Sequence, residues 1–191
     1  MDVFLQAEFA VLDFIAAHFS CAFLDTIMPM ITRLGDRGLI WILLGLALFL
    51  IPGRSENRKI GIQILIALLL SVISCNLLLK NIVARIRPCD LNTAVTLLIA
   101  RPLDFSFPSG HTAASFASIA VLFKNHWKGR CVALILALMI AFSRLYLYVH
   151  FPTDVLAGVV LGLALGLLSW FLYEGAAKRM RFRRFKNLRR K

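Results

Sequence analysis

Long apolar stretches separated by short polar segments dominate the chain. A membrane-spanning helix needs about 20 mostly apolar residues. Five stretches reach or approach this length: 38–52, 60–79, 112–123, 131–149 and 153–173. Because lipid offers the backbone no hydrogen-bond partners, each stretch is expected to be a helix. The pattern therefore predicts an all-α fold, an integral membrane bundle.

Polar positions interrupt the apolar run at the start of the chain. Asp2, Gln6 and Asp13 share one helical face, so the segment 3–20 either crosses the membrane or lies in its interface. One crossing within residues 3–31 would give a bundle of about six transmembrane helices. We favour this number because an even count of crossings places both termini on one side.

Composition agrees with this pattern, since 60% of the residues are hydrophobic, whereas a soluble domain is roughly half apolar. The net charge of +12 could indicate nucleic-acid binding, but nine of the 22 Lys and Arg lie between Lys178 and Lys191. A basic stretch after an apolar segment is typical of a cytoplasmic membrane anchor. We therefore expect a membrane domain over 1–177, a cytoplasmic tail over 178–191, and no nucleic-acid partner.

Loop charges predict an orientation. The 53–59 and 124–130 loops are basic and fall on the same side as the tail when the segments alternate, so that side is expected to be cytoplasmic. The outer side receives residues 80–111, yet this segment is basic too. Cations kept on the side that usually lacks them suggest a functional role.

The first polar cluster of the outer side runs from Lys80 to Pro88. Lys80 and Arg87 are seven residues apart, so they share one face if the helix continues until Pro88 ends it. Two fixed cations suit a phosphate, which Arg can bind with two hydrogen bonds. A pair of cations snorkelling to the membrane interface would have the same spacing. Arg85 falls off this face and is expected to contact lipid headgroups.

The second cluster, Pro108-Ser109-Gly110-His111, opens the next helix. Ser109 suits the N-cap, and Gly110 allows close approach to the backbone. Free N–H groups at the helix start would attract an anion, with His111 at the mouth of this site. An ordinary capped helix with a surface histidine explains the same residues.

The third cluster places Arg144 at the end of one helix and His150 and Asp154 at the start of the next. His150 and Asp154 are one helical turn apart, so a hydrogen bond between imidazole and carboxylate is feasible. Such a bond fixes the tautomer and makes the other ring nitrogen a better nucleophile. A helix cap beside an interfacial histidine is the alternative.

Three motifs resemble, in order, the signature of the type 2 phosphatidic acid phosphatase family: Lys80-x6-Arg87-Pro88, Pro108-Ser109-Gly110-His111 and Ser143-Arg144-x5-His150-x3-Asp154. That family includes undecaprenyl-diphosphate phosphatases and phosphatidylglycerophosphate phosphatases, and it shares its site with vanadium haloperoxidases. Every signature position that can be compared is filled in this chain.

The resemblance implies a role for each matching residue. His150 would attack phosphorus and become a phosphohistidine, and Asp154 would orient and polarise it. His111 would protonate the leaving oxygen and then activate water. The phosphate oxygens would be held by Lys80, Arg87, Ser109, the Gly110 N–H and Arg144. Phosphoryl transfer is mostly positioning and charge stabilisation, so three cations can replace a metal, and no metal or other cofactor is expected.

The resemblance also implies a substrate, a lipid phosphate or diphosphate met at the outer face of a bacterial-type cytoplasmic membrane. Undecaprenyl diphosphate is the expected lipid, with phosphatidylglycerophosphate or phosphatidate as the alternative. An anionic-lipid transporter would instead show broken helices or polar residues at the bilayer midplane, together with repeats. A phosphatase of water-soluble sugar phosphates or nucleotides on the same scaffold stays open, as does the oligomeric state.

Other polar residues of the outer side receive lesser roles. Asp36 and Arg37 are expected to brace a loop rather than to contact the site, and Arg101 and Asp104 are expected at its rim.

Small residues predict a helix contact. Gly158, Gly162 and Gly166 recur at every fourth position, and Ala113 and Ala117 give an earlier helix a small surface too. Such faces allow helix backbones to approach closely. We therefore expect the helices that begin near His111 and His150 to pack together within one molecule.

Overall fold

The computed structural model describes residues 3–52 and 55–188, with side chains as far as residue 180. Its elements in chain order are α1 Val3–Phe19, α2 Ala22–Leu34, a 3-10 turn Asp36–Gly38, α3 Leu39–Leu50, α4 Ser55–Ser71, a π-helical segment Val72–Leu79, α5 Lys80–Val83, α6 Pro88–Leu91, α7 Gly110–Lys124, α8 Arg130–Tyr146 and α9 Pro152–Leu188. No strand occurs in these ranges, which confirms the all-α prediction. Arg54 of the predicted cytoplasmic loop lies outside the described residues, as do the side chains of the tail beyond Met180.

Two helical stretches of the described chain are long and apolar enough, by length and composition, to cross a membrane: Ser55–Leu91 and Pro152–Met180. They contain the predicted segments 60–79 and 153–173. Helix α9 continues to Leu188, across the boundary predicted after residue 177. As far as Leu188, the backbone of the tail therefore extends the last helix, and the division into domain and tail stays a prediction.

Helix α7 is the central helix of the bundle. It has 15 residues, and ten of them are buried. It packs against α4, α8 and α9. At this length it is shorter than the about 20 residues of a full membrane span. The apolar character of segment 112–123 is therefore explained by burial among other helices.

Helices α7 and α9 approach each other closely along the predicted small-residue face. A Cβ atom added to Gly158 would lie 2.8 Å from the carbonyl oxygen of Ser109, and one added to Gly162 would lie 2.5 Å from that of Ala113. A side chain at either position would push the two backbones apart. The predicted contact within one molecule is confirmed, and it brings the starts of the two helices together.

The beginning of the chain forms two helices, α1 and α2, of 17 and 13 residues. Helix α1 packs against α8 and α9, and α2 packs against α8. The acidic residues of α1 face the protein, since Glu8 is buried and Asp13 accepts a hydrogen bond of 2.7 Å from the Tyr148 hydroxyl. Each helix is shorter than a full span, and the single crossing within 3–31 stays a prediction.

Candidate active site

Five of the predicted site residues line one cleft of about 420 Å³: Lys80, Arg87, His111, Arg144 and His150. They come from α5, the segment before α6, α7, α8 and the turn before α9. The structure thus joins the three sequence motifs at one end of the bundle. Asp154 and Ser109 are fully buried behind the cleft, and Gly110 is partly buried.

Lys80 and Arg87 reach the cleft by a route that differs from the predicted one. The helix ends at Val83, Ala84 adopts a left-handed conformation with φ 48°, and Arg87 is extended. Pro88 begins a short helix instead of ending a long one. The expectation of one continuous helix as far as Pro88 is wrong, because the turn at Ala84 redirects the chain.

Asp104 bridges these two cations. One carboxylate oxygen pairs with Lys80, and the other accepts a hydrogen bond of 2.7 Å from Nη2 of Arg87. The Asp104 side chain is 55% exposed, whereas Lys80 is 8% and Arg87 2% exposed. Burial alone raises the pKa of Asp104, but the hydrogen bond and charge of Lys80, and then Arg87, hold it well below its usual value. Asp104 is therefore an ionised carboxylate at the cleft mouth.

His150 is almost fully buried, with one ring nitrogen facing the cations. Nη1 of Arg87 lies 3.2 Å from Nε2 of His150. A guanidinium only donates hydrogen bonds, so this contact assigns the lone pair to Nε2 and the proton to Nδ1. Burial, followed by the charges of Arg87 and Arg144, holds the pKa of His150 well below its usual value. The imidazole is therefore neutral, and its Nε2 lone pair accepts from Arg87, which lines the cleft as well.

The other ring nitrogen of His150 faces Ser106 and Asp154. Nδ1 lies 3.5 Å from Oγ of Ser106 and 3.7 Å from Oδ2 of Asp154. The feasible hydrogen bond between His150 and Asp154 is not formed, because 3.7 Å is too long for one. Oδ2 of Asp154 instead accepts from the Ser106 hydroxyl at 2.5 Å and from the Phe151 N–H at 2.8 Å. Sequence reasoning missed Ser106, although it lies three residues before Ser109.

Arg85 contacts the protein rather than lipid headgroups, which corrects the sequence prediction. Its Nη1 donates to Oδ1 of Asp154 at 2.6 Å and to Oγ1 of Thr153 at 2.7 Å. It also forms an ion pair with Glu8 of α1. The left-handed turn at Ala84 is what directs Arg85 toward α9, and helical periodicity could not show this.

His111 is paired with Asp36, which the sequence prediction kept out of the site. Nε2 of His111 lies 2.9 Å from Oδ1 of Asp36. The hydrogen bond from His111 lowers the pKa of Asp36, against the opposing effect of burial. A Cβ atom added to Gly35 would lie 2.8 Å from the His111 ring, so this ring rests on the Gly35 backbone. The expectation for Asp36 is wrong, because the turn after α2 folds over the start of α7.

Arg144 is buried at the base of the cleft. Nη1 donates to the hydroxyl of Thr32, while Nε has no hydrogen-bond partner among the described residues. A buried donor without a partner costs about 1–3 kcal/mol. This orphaned N–H, on a side chain that lines the cleft, suits an anionic ligand.

The start of α7 is capped as predicted, because Oγ of Ser109 accepts from the Thr112 N–H at 3.5 Å and from the Thr112 hydroxyl at 2.9 Å. Neither Ser109 nor Gly110 lines the cleft. A Cβ atom added to Gly110 would lie 3.1 Å from Oδ1 of Asn76, a residue that sequence reasoning did not single out. The predicted contacts of Ser109 and Gly110 with phosphate stay predictions.

Two further arginines, Arg33 and Arg101, line the outer part of the cleft. Arg101 is held by Asp90 at 2.9 Å, in agreement with its predicted place at the rim. No group of three or more His, Cys, Asp or Glu that could hold a metal occurs in the described part of the chain. The cleft therefore offers chiefly cations and imidazoles to a ligand.

An all-α membrane bundle with cations and two imidazoles around one cleft defines a membrane-bound phosphatase. Residues 61–178 match the family model of the PAP2 superfamily. The chain belongs to this superfamily, so the family resemblance seen in the sequence is confirmed.

Relatives and solved structures agree with this assignment. An undecaprenyl-diphosphatase of Sulfolobus acidocaldarius is 33% identical over 149 residues, which cover 78% of this chain and 70% of the relative. A phosphatidylglycerophosphatase B of Bacillus subtilis is 33% identical over 173 residues, which cover 84% of this chain and 79% of the relative. The crystal structure of a transmembrane PAP2 type phosphatidylglycerolphosphate phosphatase from Bacillus subtilis matches with a TM-score of 0.66 and 25% identity, covering 94% of this chain and 88% of that one.

Proposed function

We propose that this lipid phosphatase hydrolyses undecaprenyl diphosphate through a phosphohistidine at His150, at the outer face of a cytoplasmic membrane. The observation that carries the proposal is the cleft lined by both His150 and Arg144, in which Arg144 retains a buried Nε–H without a partner among the described residues. An imidazole and a guanidinium then meet the same anion in one cleft. Such an arrangement both attacks phosphorus and stabilises the charge on its oxygens.

In the first step, Nε2 of His150 forms a bond to phosphorus while the bond from phosphorus to the leaving oxygen breaks. His111 gives that oxygen a proton. Burial and then the charge of Arg144 lower the pKa of His111, whereas the hydrogen bond and charge of Asp36 oppose this shift and favour the protonated imidazole, which is the form that can act as the acid. In the second step, His111 takes a proton from water as the water oxygen attacks the phosphohistidine. Phosphate leaves, and neutral His150 is restored.

The phosphate replaces Asp104 on the two buried cations. In the structure, the Asp104 carboxylate pairs with Lys80 and Arg87. This group has the charge and the two-oxygen geometry of part of a phosphate. Its exposed side chain can turn outward, and the substrate then contacts Lys80, Arg87 and Arg144. Asp154, through Ser106, holds the Nδ1 side of the His150 ring while Nε2 reacts.

The rim of the cleft favours a diphosphate over a monophosphate. Arg33 and Arg101 add two cations outside the three that serve the reacting phosphate. A second phosphate of the substrate would lie within reach of these cations. The likeness to an undecaprenyl-diphosphatase supports the same substrate, whereas the likeness to phosphatidylglycerophosphatase B supports phosphatidylglycerophosphate as the second candidate.

The ends of the bundle support the proposed orientation. Helix α7 begins beside the cleft and ends at Lys124, whose ammonium lies 4.5 Å from the Trp170 ring of α9. Lys59 at the start of α4 pairs with Glu174 of α9 at the same end. These cations mark the end opposite the cleft, where positive charge indicates the cytoplasm. The cleft then opens outside, and the tail lies in the cytoplasm.

The test is phosphate release by the purified protein from undecaprenyl diphosphate, undecaprenyl phosphate, phosphatidylglycerophosphate and phosphatidate, with a soluble sugar phosphate as control. We expect the diphosphate to give the highest kcat/KM, with full activity in EDTA. Loss of activity in EDTA or full activity of His150→Ala would contradict the proposed chemistry. A preference for phosphatidylglycerophosphate would reject the substrate alone.

A further inference from the structure

Glu8 of α1 is a buried carboxylate that the proposed chemistry does not use. It pairs with Arg85, and its Oε1 accepts from the Thr153 hydroxyl and, at 3.3 Å, from the Thr153 N–H. Burying a charge without partners costs free energy, and here Arg85 and Thr153 supply the hydrogen bonds that offset this cost for Glu8. These donors connect the N-terminal helix to the start of α9.

Arg85 continues the connection to Asp154. The same Nη1 that binds Thr153 donates to Oδ1 of Asp154 at 2.6 Å. The guanidinium lies 4.2 Å from the centre of the Phe151 ring, in cation–π distance. Arg85 is therefore fixed on three sides, by Glu8, by Asp154 and by the aromatic ring.

The two oxygens of Asp154 are divided between two sets of partners. Oδ1 receives Arg85, while Oδ2 receives the Ser106 hydroxyl and the Phe151 N–H. This division fixes the plane of the carboxylate. Ser106 in turn lies 3.5 Å from Nδ1 of His150.

We propose that Glu8 and Arg85 are positioning residues, which set the carboxylate of Asp154 and thereby the imidazole of His150. The inference rests on the proposed function, in which His150 is the nucleophile. Arg85 alone would neutralise Asp154, but Glu8 gives the group of three a net charge of −1. That negative charge favours the positively charged imidazole ring formed when His150 bonds to phosphorus. Helix α1 is then a part of the active site.

The experiment compares kcat and KM for Glu8→Gln, Arg85→Gln, Arg85→Lys and the double variant Glu8→Gln/Arg85→Gln. We expect kcat to fall about tenfold in Glu8→Gln and about 100-fold in Arg85→Gln, because misplacement of a reacting group costs about this much. KM should stay within about twofold, since neither residue lines the cleft. Arg85→Lys should recover part of the kcat lost in Arg85→Gln.

The double variant shows whether Glu8 and Arg85 affect kcat together or independently. Arg85→Gln leaves Glu8 and Asp154 as two buried carboxylates without their shared cation. Removing the charge of Glu8 as well relieves this repulsion, so kcat of the double variant should equal or exceed that of Arg85→Gln. Independent effects would multiply instead. Glu8→Gln and the double variant test the proposal even where Arg85→Gln does not fold.

A matched ion pair at the other end of the bundle provides the control. Lys59 and Glu174 join α4 to α9 at 2.6 Å, with side chains 26% and 25% exposed. Lys59→Gln, Glu174→Gln and their double variant should lower the thermal midpoint in detergent, while kcat stays within about twofold.

The inference is overturned by kcat within about twofold of wild type in Glu8→Gln and Arg85→Gln, by multiplied losses in the double variant, or by equal kcat losses in the control pair. Changes in KM alone also contradict it. Failure of the proposed function would give a different result, because His150→Ala would then keep its activity in the same assay.

Discussion

The two imidazoles of the cleft have opposite surroundings. His150 and Asp154 have side-chain exposures of 1% and 0%, whereas His111 and Asp36 have 20% and 57%. The buried carboxylate is held by Arg85, Ser106 and a backbone N–H; the exposed one sits at the edge of the cleft. Each pair thus has one imidazole and one carboxylate, but only the pair of His150 and Asp154 is buried and held by several hydrogen bonds from the protein.

This difference matches two kinds of chemistry. A nucleophile must keep a fixed lone pair at a short distance from phosphorus, and a dry, multiply held side chain does this well. A group that donates a proton and then accepts one from water must reach solvent during each cycle. The structure therefore supports His150 as the nucleophile and His111 as the acid and base.

The largest expected effect separates the two imidazoles. His150→Ala should reduce kcat by about 10⁴-fold or more, since it removes the proposed nucleophile. His111→Ala should reduce kcat by about 10²–10⁴-fold on lipid, the usual contribution of a general acid or base. On p-nitrophenyl phosphate, whose leaving group needs no proton, His111→Ala should still form the phosphoenzyme. Equal failure of both variants to form it would remove the distinction.

Replacing the carboxylate beside His150 should lower kcat more than replacing the carboxylate beside His111. Asp154→Asn should lower kcat by about 10²–10⁴-fold, because it disturbs the residue that fixes the ring of the nucleophile. Asp36→Asn should lower kcat by about tenfold or less, since water can reach His111 in its place. Steady-state assays on one lipid measure both. A larger loss in Asp36→Asn than in Asp154→Asn would reverse the assignment of roles.

Asp104→Asn should strengthen the binding of substrate, whereas the variants above lower kcat. The variant no longer places a carboxylate on Lys80 and Arg87, so phosphate meets less competition there. We expect KM for the lipid and the inhibition constant for inorganic phosphate both to fall by about two- to tenfold. Arg101→Gln, at the rim, serves as the matched control and should not lower either constant. A rise in both constants for Asp104→Asn would show that this residue helps to bind substrate.

The smallest effect concerns pH and stability. The pKa of His150 lies well below 6.5 in the folded protein, whereas an unfolded histidine takes up its proton near 6.5. The unfolded state therefore binds more protons as pH falls below about 6.5, and the free energy of unfolding falls with it, by at most about 1.4 kcal/mol per pH unit. Thermal midpoints at pH 7 and pH 5 should differ more for wild type than for His150→Gln. Identical differences would contradict a neutral buried ring.

The sequence predicted the features that depend on local pattern. The helical class, the cap formed by Ser109 and the contact of α9 glycines with α7 all follow from spacing of two to four residues. The three motifs also indicated which residues meet, because each motif sits at a helix end on the same predicted side.

The partners of these residues could not be predicted in the same way. Asp36, Arg85 and Asp104 each reach the site through a turn whose direction depends on tertiary contacts. The left-handed conformation at Ala84 ended a helix that periodicity extended to Pro88. Glu8 lies 77 positions from Arg85 in the chain, so no local pattern joins the two.

The account depends most directly on a covalent bond between phosphorus and His150. The measurement is an alkaline rapid quench of His111→Ala with ³²P-labelled p-nitrophenyl phosphate, whose leaving group needs no proton, followed by digestion and mass spectrometry of the labelled peptide. We predict a label that survives alkali, is lost in acid and maps to His150, and that is absent in His111→Ala/His150→Ala. Label on another residue, or turnover that never yields a labelled protein, would contradict the account.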